Sequence, residues 1–205
     1  APRGTLLHAP DCYMDKIAGG PELIGHISLD GGVAYNLEQT ASALDKAVSD
    51  VRVVALDRER HTELFKEIRA TGAQLELMGD GDVSAAIWAA RPDGPFDLLM
   101  GIGAAPEGVI SATAIRGLGG VFEGRLVFRS EHEEARAEKM VGDDLTRLWE
   151  AHDLCKSDDA IFAASGVCDG YLPGVLLGDT TTTTFSEVID VASGTVRRIE
   201  TTRRL

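Results

Sequence analysis

Positive charge is scarce in these 205 residues: 20 lysines and arginines stand against 33 aspartates and glutamates, a formal net charge of −13 at pH 7. Nucleic-acid binding draws on many cationic contacts, so a chain this acidic is not expected to take a nucleic-acid partner. Long apolar runs are missing as well. None approaches the roughly 18 residues that cross a bilayer, and no membrane partner is expected. Cysteine is sparse: Cys12, Cys155 and Cys168 lack metal-ligand spacing, and an odd number cannot all pair, which fits a reducing, cytoplasmic setting. A signal peptide is not evident. The first residue is Ala1 rather than Met, and the chain enters an apolar, strand-like segment at Leu6-Leu7. It therefore reads as though it began partway through a longer protein.

What is present is an ordinary globular composition, 44% hydrophobic and 26% charged, in a length that suits one domain. Apolar periodicity alternates between helix and strand. Helical stretches are predicted over 37–48, 62–69, 83–90 and 107–116, with strands over 51–56, 74–78, 96–100 and 121–128. Residues 130–153 read as a charged helical excursion to which no chemistry is assigned, and 159–164 as a further strand. Thr181 to Val191 and Thr195 to Thr202, joined through Ser193-Gly194, form a β-hairpin pattern. The fold class expected is α/β, a largely parallel or mixed sheet flanked by helices with a C-terminal β-hairpin, in one domain.

Three polar clusters fall at the C-terminal ends of predicted parallel strands, where open α/β sheets bind ligands. Arg58 and Arg60, in Asp57-Arg58-Glu59-Arg60-His61, alternate around one residue. In an extended segment their guanidinium forks would reach one phosphate from the same side, although a solvated basic turn has the same composition. Asp80-Gly81-Asp82 offers two short carboxylates around a flexible residue. Asp82 suits the N-cap of the next helix, and the pair suits sugar hydroxyls or a divalent ion. The stretch Gly101-Ile102-Gly103-Ala104-Ala105-Pro106-Glu107 is read as a tight turn into a helix whose free amides face an anion, with Glu107 beside it. A carboxylate next to phosphate needs an intervening cation, so the pattern suggests metal-bridged phosphate chemistry, while Glu107 also complements the helix dipole.

Several chemistries are excluded. Pro106 stands where a dinucleotide fingerprint needs Gly or Ala, which argues against nicotinamide and flavin. No serine or cysteine nucleophile has a matching base. His61 reads as a helix-surface residue, and His8, His26, His132 and His152 lack metal spacing. Tyr13 reads as a ring to be buried, its hydroxyl either offered to a ligand or, as is commoner, satisfied within the protein.

Together these clusters, with Ala9-Pro10-Asp11-Cys12-Tyr13-Met14-Asp15-Lys16 and Val83-Ser84-Ala85-Ala86-Ile87 after the aspartates, resemble class II fructose-1,6-bisphosphatase. That family includes bifunctional bacterial enzymes acting also on sedoheptulose 1,7-bisphosphate. The resemblance implies metal-dependent hydrolysis of the 1-phosphate, with Mn2+ or Mg2+ as cofactor and a role in gluconeogenesis or the Calvin cycle. It also implies a homo-oligomer. It places Tyr13, Arg58, Glu59, Arg60, Asp80, Gly81, Asp82 and Ala104 on the sugar bisphosphate and Glu107 on the metal. Ala104 stands where many members have glycine, a change suited to a negative φ, and Glu59 where proline is usual. The family's other metal carboxylates, and the threonine segment that activates water, lie in an N-terminal half outside these 205 residues. The chain alone is therefore expected to be weak or inactive. The alternative reading is a non-catalytic sugar-phosphate-binding or assembly domain.

Overall fold

A computed structural model describes residues 1–204. Six strands form a mixed sheet in the order β3-β2-β4-β1-β5-β6: β1 is Tyr13–Gly19, β2 Arg52–Leu56, β3 Gln74–Met78, β4 Leu98–Ala104, β5 Val121–Val127 and β6 Trp149–Glu150. β2 runs parallel to β3 and β4, whereas β1 is antiparallel to both β4 and β5. The helices are α1 (Gly32–Ala43), α2 (Thr62–Thr71), α3 (Asp82–Ala90), α4 (Ala105–Leu118), α5 (Glu131–Val141) and the short α6 (Ala151–Leu154). A second, antiparallel sheet contains β7 (Ile161–Ser165), β8 (Leu176–Leu177), β9 (Thr181–Asp190) and β10 (Thr195–Arg204). The expected α/β class with a mixed sheet, flanking helices and a C-terminal hairpin is what forms.

Side chains alternate across the main sheet, and each face has its own core. Ile17, Val53, Leu98 and Met100 pack with Leu37 of α1 and Ile68 of α2. Met14, Ala18, Val54, Leu99 and Phe122 pack on the other face against Ala85, Ala86 and Ala89 of α3 and Val109, Ala112 and Ile115 of α4. Burying such side chains contributes roughly 1.5–3 kcal/mol for each large one. The second sheet docks on the outer side of α3 and α4, where Phe162 and Ile189 meet Ile87 and Ala114. Gly117 permits that approach, since a Cβ there would lie 2.5 Å from the Ile189 side chain.

Several boundaries depart from the sequence reading. α1 begins at Gly32 and ends at Ala43, and residues 48–50 form a 3-10 turn instead of its continuation. Helix within 130–153 is confined to α5 and α6, separated by the edge strand β6. The strand read over 159–164 joins the second sheet rather than the first. Leu6 makes one isolated bridge to Cys155 and no strand. The turn read over 101–105 is strand as far as Ala104, paired along Tyr13–Lys16, and α4 follows at once.

Candidate substrate site

Because β2, β3 and β4 run parallel, the segments leaving their C-terminal ends share one rim of the sheet, and β1 and β5 meet that rim at Tyr13 and Val127. Pairing between β2 and β4 covers only Val53 with Leu98 and Val54 with Leu99, so the two strands part company toward the rim. The ring of His61 fills the gap. Its Nε2 accepts the amide hydrogen of Ile102 at 2.7 Å, and its Nδ1 lies 2.7 Å from the carbonyl oxygen of Leu56. Accepting at Nε2 leaves Nδ1 to carry the proton and donate. Gly101, at φ 136°, has no Cβ; one would sit 3.1 Å from the imidazole. His61 is only 2% exposed, which corrects its reading as a helix-surface residue.

Arg60 takes the other polar group of the same residue: its Nε and Nη2 donate to the Ile102 carbonyl oxygen at 3.0 and 2.6 Å. The guanidinium carbon stands 4.7 Å from the centre of the Tyr13 ring, and that of Arg129 is at 4.7 Å as well. Among the described residues no carboxylate lies within 4.0 Å of the Arg60 guanidinium nitrogens. Arg129, unnoticed in the sequence, is ion-paired with Glu133 on α5. Arg58 diverges from Arg60. Its Nη1 donates to the carbonyls of Asp57 and Gly79, at 2.9 and 2.7 Å, and Nη2 lies 3.8 Å from the Asp80 carboxylate. The reading of an extended segment with both forks on one side is thus corrected: Glu59–His61 is a 3-10 turn that sends the two arginines toward different neighbouring strands. Glu59 is exposed on that turn, where its carbonyl accepts the Thr62 hydroxyl.

Asp80 is fully open to solvent, with a side-chain exposure of 98%. Gly81 occupies the left-handed region at φ 101° and is itself the N-cap of α3. Asp82 is therefore the first helical residue rather than the cap, and its side chain has another use. The carboxylate Oδ2 is ion-paired with Lys16 of β1, the two side chains 5% and 0% exposed. Lys16 Nζ also donates to the Ala104 carbonyl at 2.8 Å. Ala104 has φ −71°, a conformation alanine adopts without strain. Next to it, Ala105 donates its amide to the Cys12 carbonyl, and Pro106 has no amide hydrogen. The N-terminus of α4 thus offers fewer free donors to an anion than its sequence suggests. Glu107 is exposed in the first turn of that helix.

Two further groups complete the surroundings. Asp15 shares a strand face with Tyr13, and burial pushes its carboxyl above the usual value although the Lys16 amide donates to it at 3.0 Å. Burial likewise pushes the Cys12 thiol up to about 11, which leaves it unreactive near neutrality. A cavity of about 410 Å3 opens at the opposite rim, between Ile24, Val121 and His152, far from these groups along β5. Among the described residues no three His, Cys, Asp or Glu side chains gather to hold a metal ion. Glu107 fits as a single ligand and does not make a metal site by itself. No helix is long and apolar enough to cross a membrane among the described residues.

The family described as bacterial fructose-1,6-bisphosphatase, glpX-encoded, matches residues 1–203. Curated relatives named D-fructose 1,6-bisphosphatase class 2/sedoheptulose 1,7-bisphosphatase include that of Synechococcus sp. (strain JA-3-3Ab), 42% identical over 97% of this chain and 61% of its own length. That of Gloeobacter violaceus is 38% identical over 97% of the chain and 61% of its own length. That of Acaryochloris marina is 40% identical over 99% of the chain and 62% of its length. The chain thus spans a little over three-fifths of such relatives. With a family match across nearly every residue and relatives at about 40% identity, the chain belongs to the class II fructose-1,6-bisphosphatases.

Proposed function

We propose that this rim binds fructose 1,6-bisphosphate, with sedoheptulose 1,7-bisphosphate as second substrate, and serves hydrolysis of the 1-phosphate in a protein of the relatives' full length. The observation that carries the reading is Arg60: a guanidinium with no carboxylate partner among the described residues, in a chain of net charge −13, anchored on a strand carbonyl and stacked on Tyr13. Its Nη1 donors remain for a phosphate distal to the cleaved bond, and the carbonyl contact fixes their direction. Arg58, turned toward Gly79 and Asp80, adds a second guanidinium on the same rim. Asp80, and the Asp82 oxygen not held by Lys16, suit sugar hydroxyls, with Gly81 and Ala104 offering backbone at close approach. Glu107 is one ligand of Mn2+ or Mg2+. The other ligands come from outside the described residues, and no hydrolytic step is assigned to these side chains. The two sheets share α4 and act as one domain.

Phosphate release from fructose 1,6-bisphosphate with added Mn2+, compared with a Glu107→Gln control, tests the reading. The alternative reading is a sugar-phosphate-binding or assembly domain. Saturable bisphosphate binding with no turnover above the control supports that one.

A further inference from the structure

We infer that Lys16 is a positioning residue of the sugar site, an inference that rests on the function proposed above: its buried ammonium fixes Asp82 and Ala104 relative to each other, and with them the starts of α3 and α4. Three elements meet at this one nitrogen. Lys16 comes from the middle of β1, Asp82 opens α3, and the Ala104 carbonyl closes β4 immediately before the helix that carries Glu107. Two of the ammonium's three donors are thereby used. The other carboxylate oxygen of Asp82 accepts no hydrogen bond among the described residues. Lys16 therefore dictates which oxygen of Asp82 is left for a hydroxyl and how far it stands from the β4 backbone.

Stability is a poor explanation for such a pair. Burying two charges has a desolvation cost that their attraction only partly offsets, and apolar residues of similar volume commonly do as well. The surroundings have nonetheless been cut to fit it. Gly103, opposite Met14 in the β1–β4 register, leaves the space the pair occupies; a Cβ there would lie 2.2 Å from Asp82 Oδ2 and 2.9 Å from Lys16 Nζ. A lysine is also costly at the centre of the sheet, where its neighbours Met14, Ile17 and Ala18 are fully buried and apolar. Both costs fall where α3 and α4 start, next to the rim at which the sugar hydroxyls would be read.

The test is a calorimetric titration of fructose 1,6-bisphosphate into wild type, Lys16→Met, Gly103→Ala and Arg60→Ala, with urea midpoints measured without ligand. Gly103→Ala pushes the pair apart while keeping both charges. Lys16→Met and Gly103→Ala are expected to raise Kd at least tenfold in protein that the urea curves show to be folded. Wild-type affinity in folded Lys16→Met or Gly103→Ala, with Arg60→Ala still impaired, would overturn the inference and leave the proposed function standing. No binding by wild type overturns both. If neither variant folds, nitrogen-15 spectra of the wild-type lysine and arginine side chains decide: the Lys16 ammonium signal shifts on adding bisphosphate, or, if it stays fixed while the Arg60 signals move, the pair is structural only.

Discussion

His61 and Arg60 grip the two backbone groups of a single residue: the imidazole accepts the Ile102 amide at 2.7 Å and the guanidinium donates to the Ile102 carbonyl at 2.6 and 3.0 Å. The opening between β2 and β4 is therefore held by side chains from the turn that follows β2. Sheet hydrogen bonds that would otherwise close it are replaced without leaving orphaned groups.

Replacing His61 with Phe should keep the ring's volume and remove both bonds, stranding the Ile102 amide and the Leu56 carbonyl. Each buried unsatisfied group costs about 1–3 kcal/mol. A urea midpoint well below wild type is expected, together with a weaker bisphosphate titration because Arg60 loses its anchor. A midpoint equal to wild type would show that the strands part for another reason.

Asp97 supplies a pH test. Burial pushes its carboxyl up, but the Arg52 guanidinium and backbone amide and the Lys46 ammonium at 2.7 Å outweigh that and hold it below the usual carboxylate range. A carboxyl depressed in the native state binds fewer protons than in the unfolded chain. Its stabilisation is present above the unfolded value, about 3.9, and is lost as pH falls through the native one. The gap in urea midpoint between wild type and Asp97→Asn should be full at pH 6 and shrink below about pH 4. A gap unchanged at pH 3 would contradict this.

Glu187 of β9, with no exposed surface, accepts from Arg91 just beyond α3 at 2.8 Å, from Arg198 at 3.2 Å and from the Tyr171 hydroxyl. It clamps the second sheet to the end of α3. Removing one partner of a buried pair costs about 3–5 kcal/mol, so Glu187→Ala should lower the calorimetric Tm markedly. Wild type should melt in one transition. Two resolved transitions in wild type would separate the sheets into independent units.

Much of this was legible in the sequence. Alternating apolar patterns placed β2, α2, β3 and α3 closely, and Thr71-Gly72 marked the end of α2, where Gly72 takes φ 86°. The central strand β1 was not legible, because Asp15-Lys16 interrupts its apolar pattern; the lysine is tolerated only through a carboxylate brought from 66 residues away. The same long-range contact explains why Asp82 read as a cap and is an ion-pair partner. The burial of His61 is hidden for a like reason: helical spacing says nothing of a gap between strands that pair for two residues only. Clustering of the candidate residues on one rim followed from strand direction, whereas their individual orientations depended on backbone carbonyls that no residue pattern shows.

The most direct measurement is a calorimetric titration of fructose 1,6-bisphosphate, with Mn2+ present, into wild type and Arg60→Ala. Saturable one-to-one binding by wild type, weakened at least tenfold in Arg60→Ala, is the expected result, in line with the loss of a charge-assisted phosphate contact. Absence of saturable heat in wild type, or equal affinity in the two proteins, would contradict the assignment of this rim as the sugar-bisphosphate site.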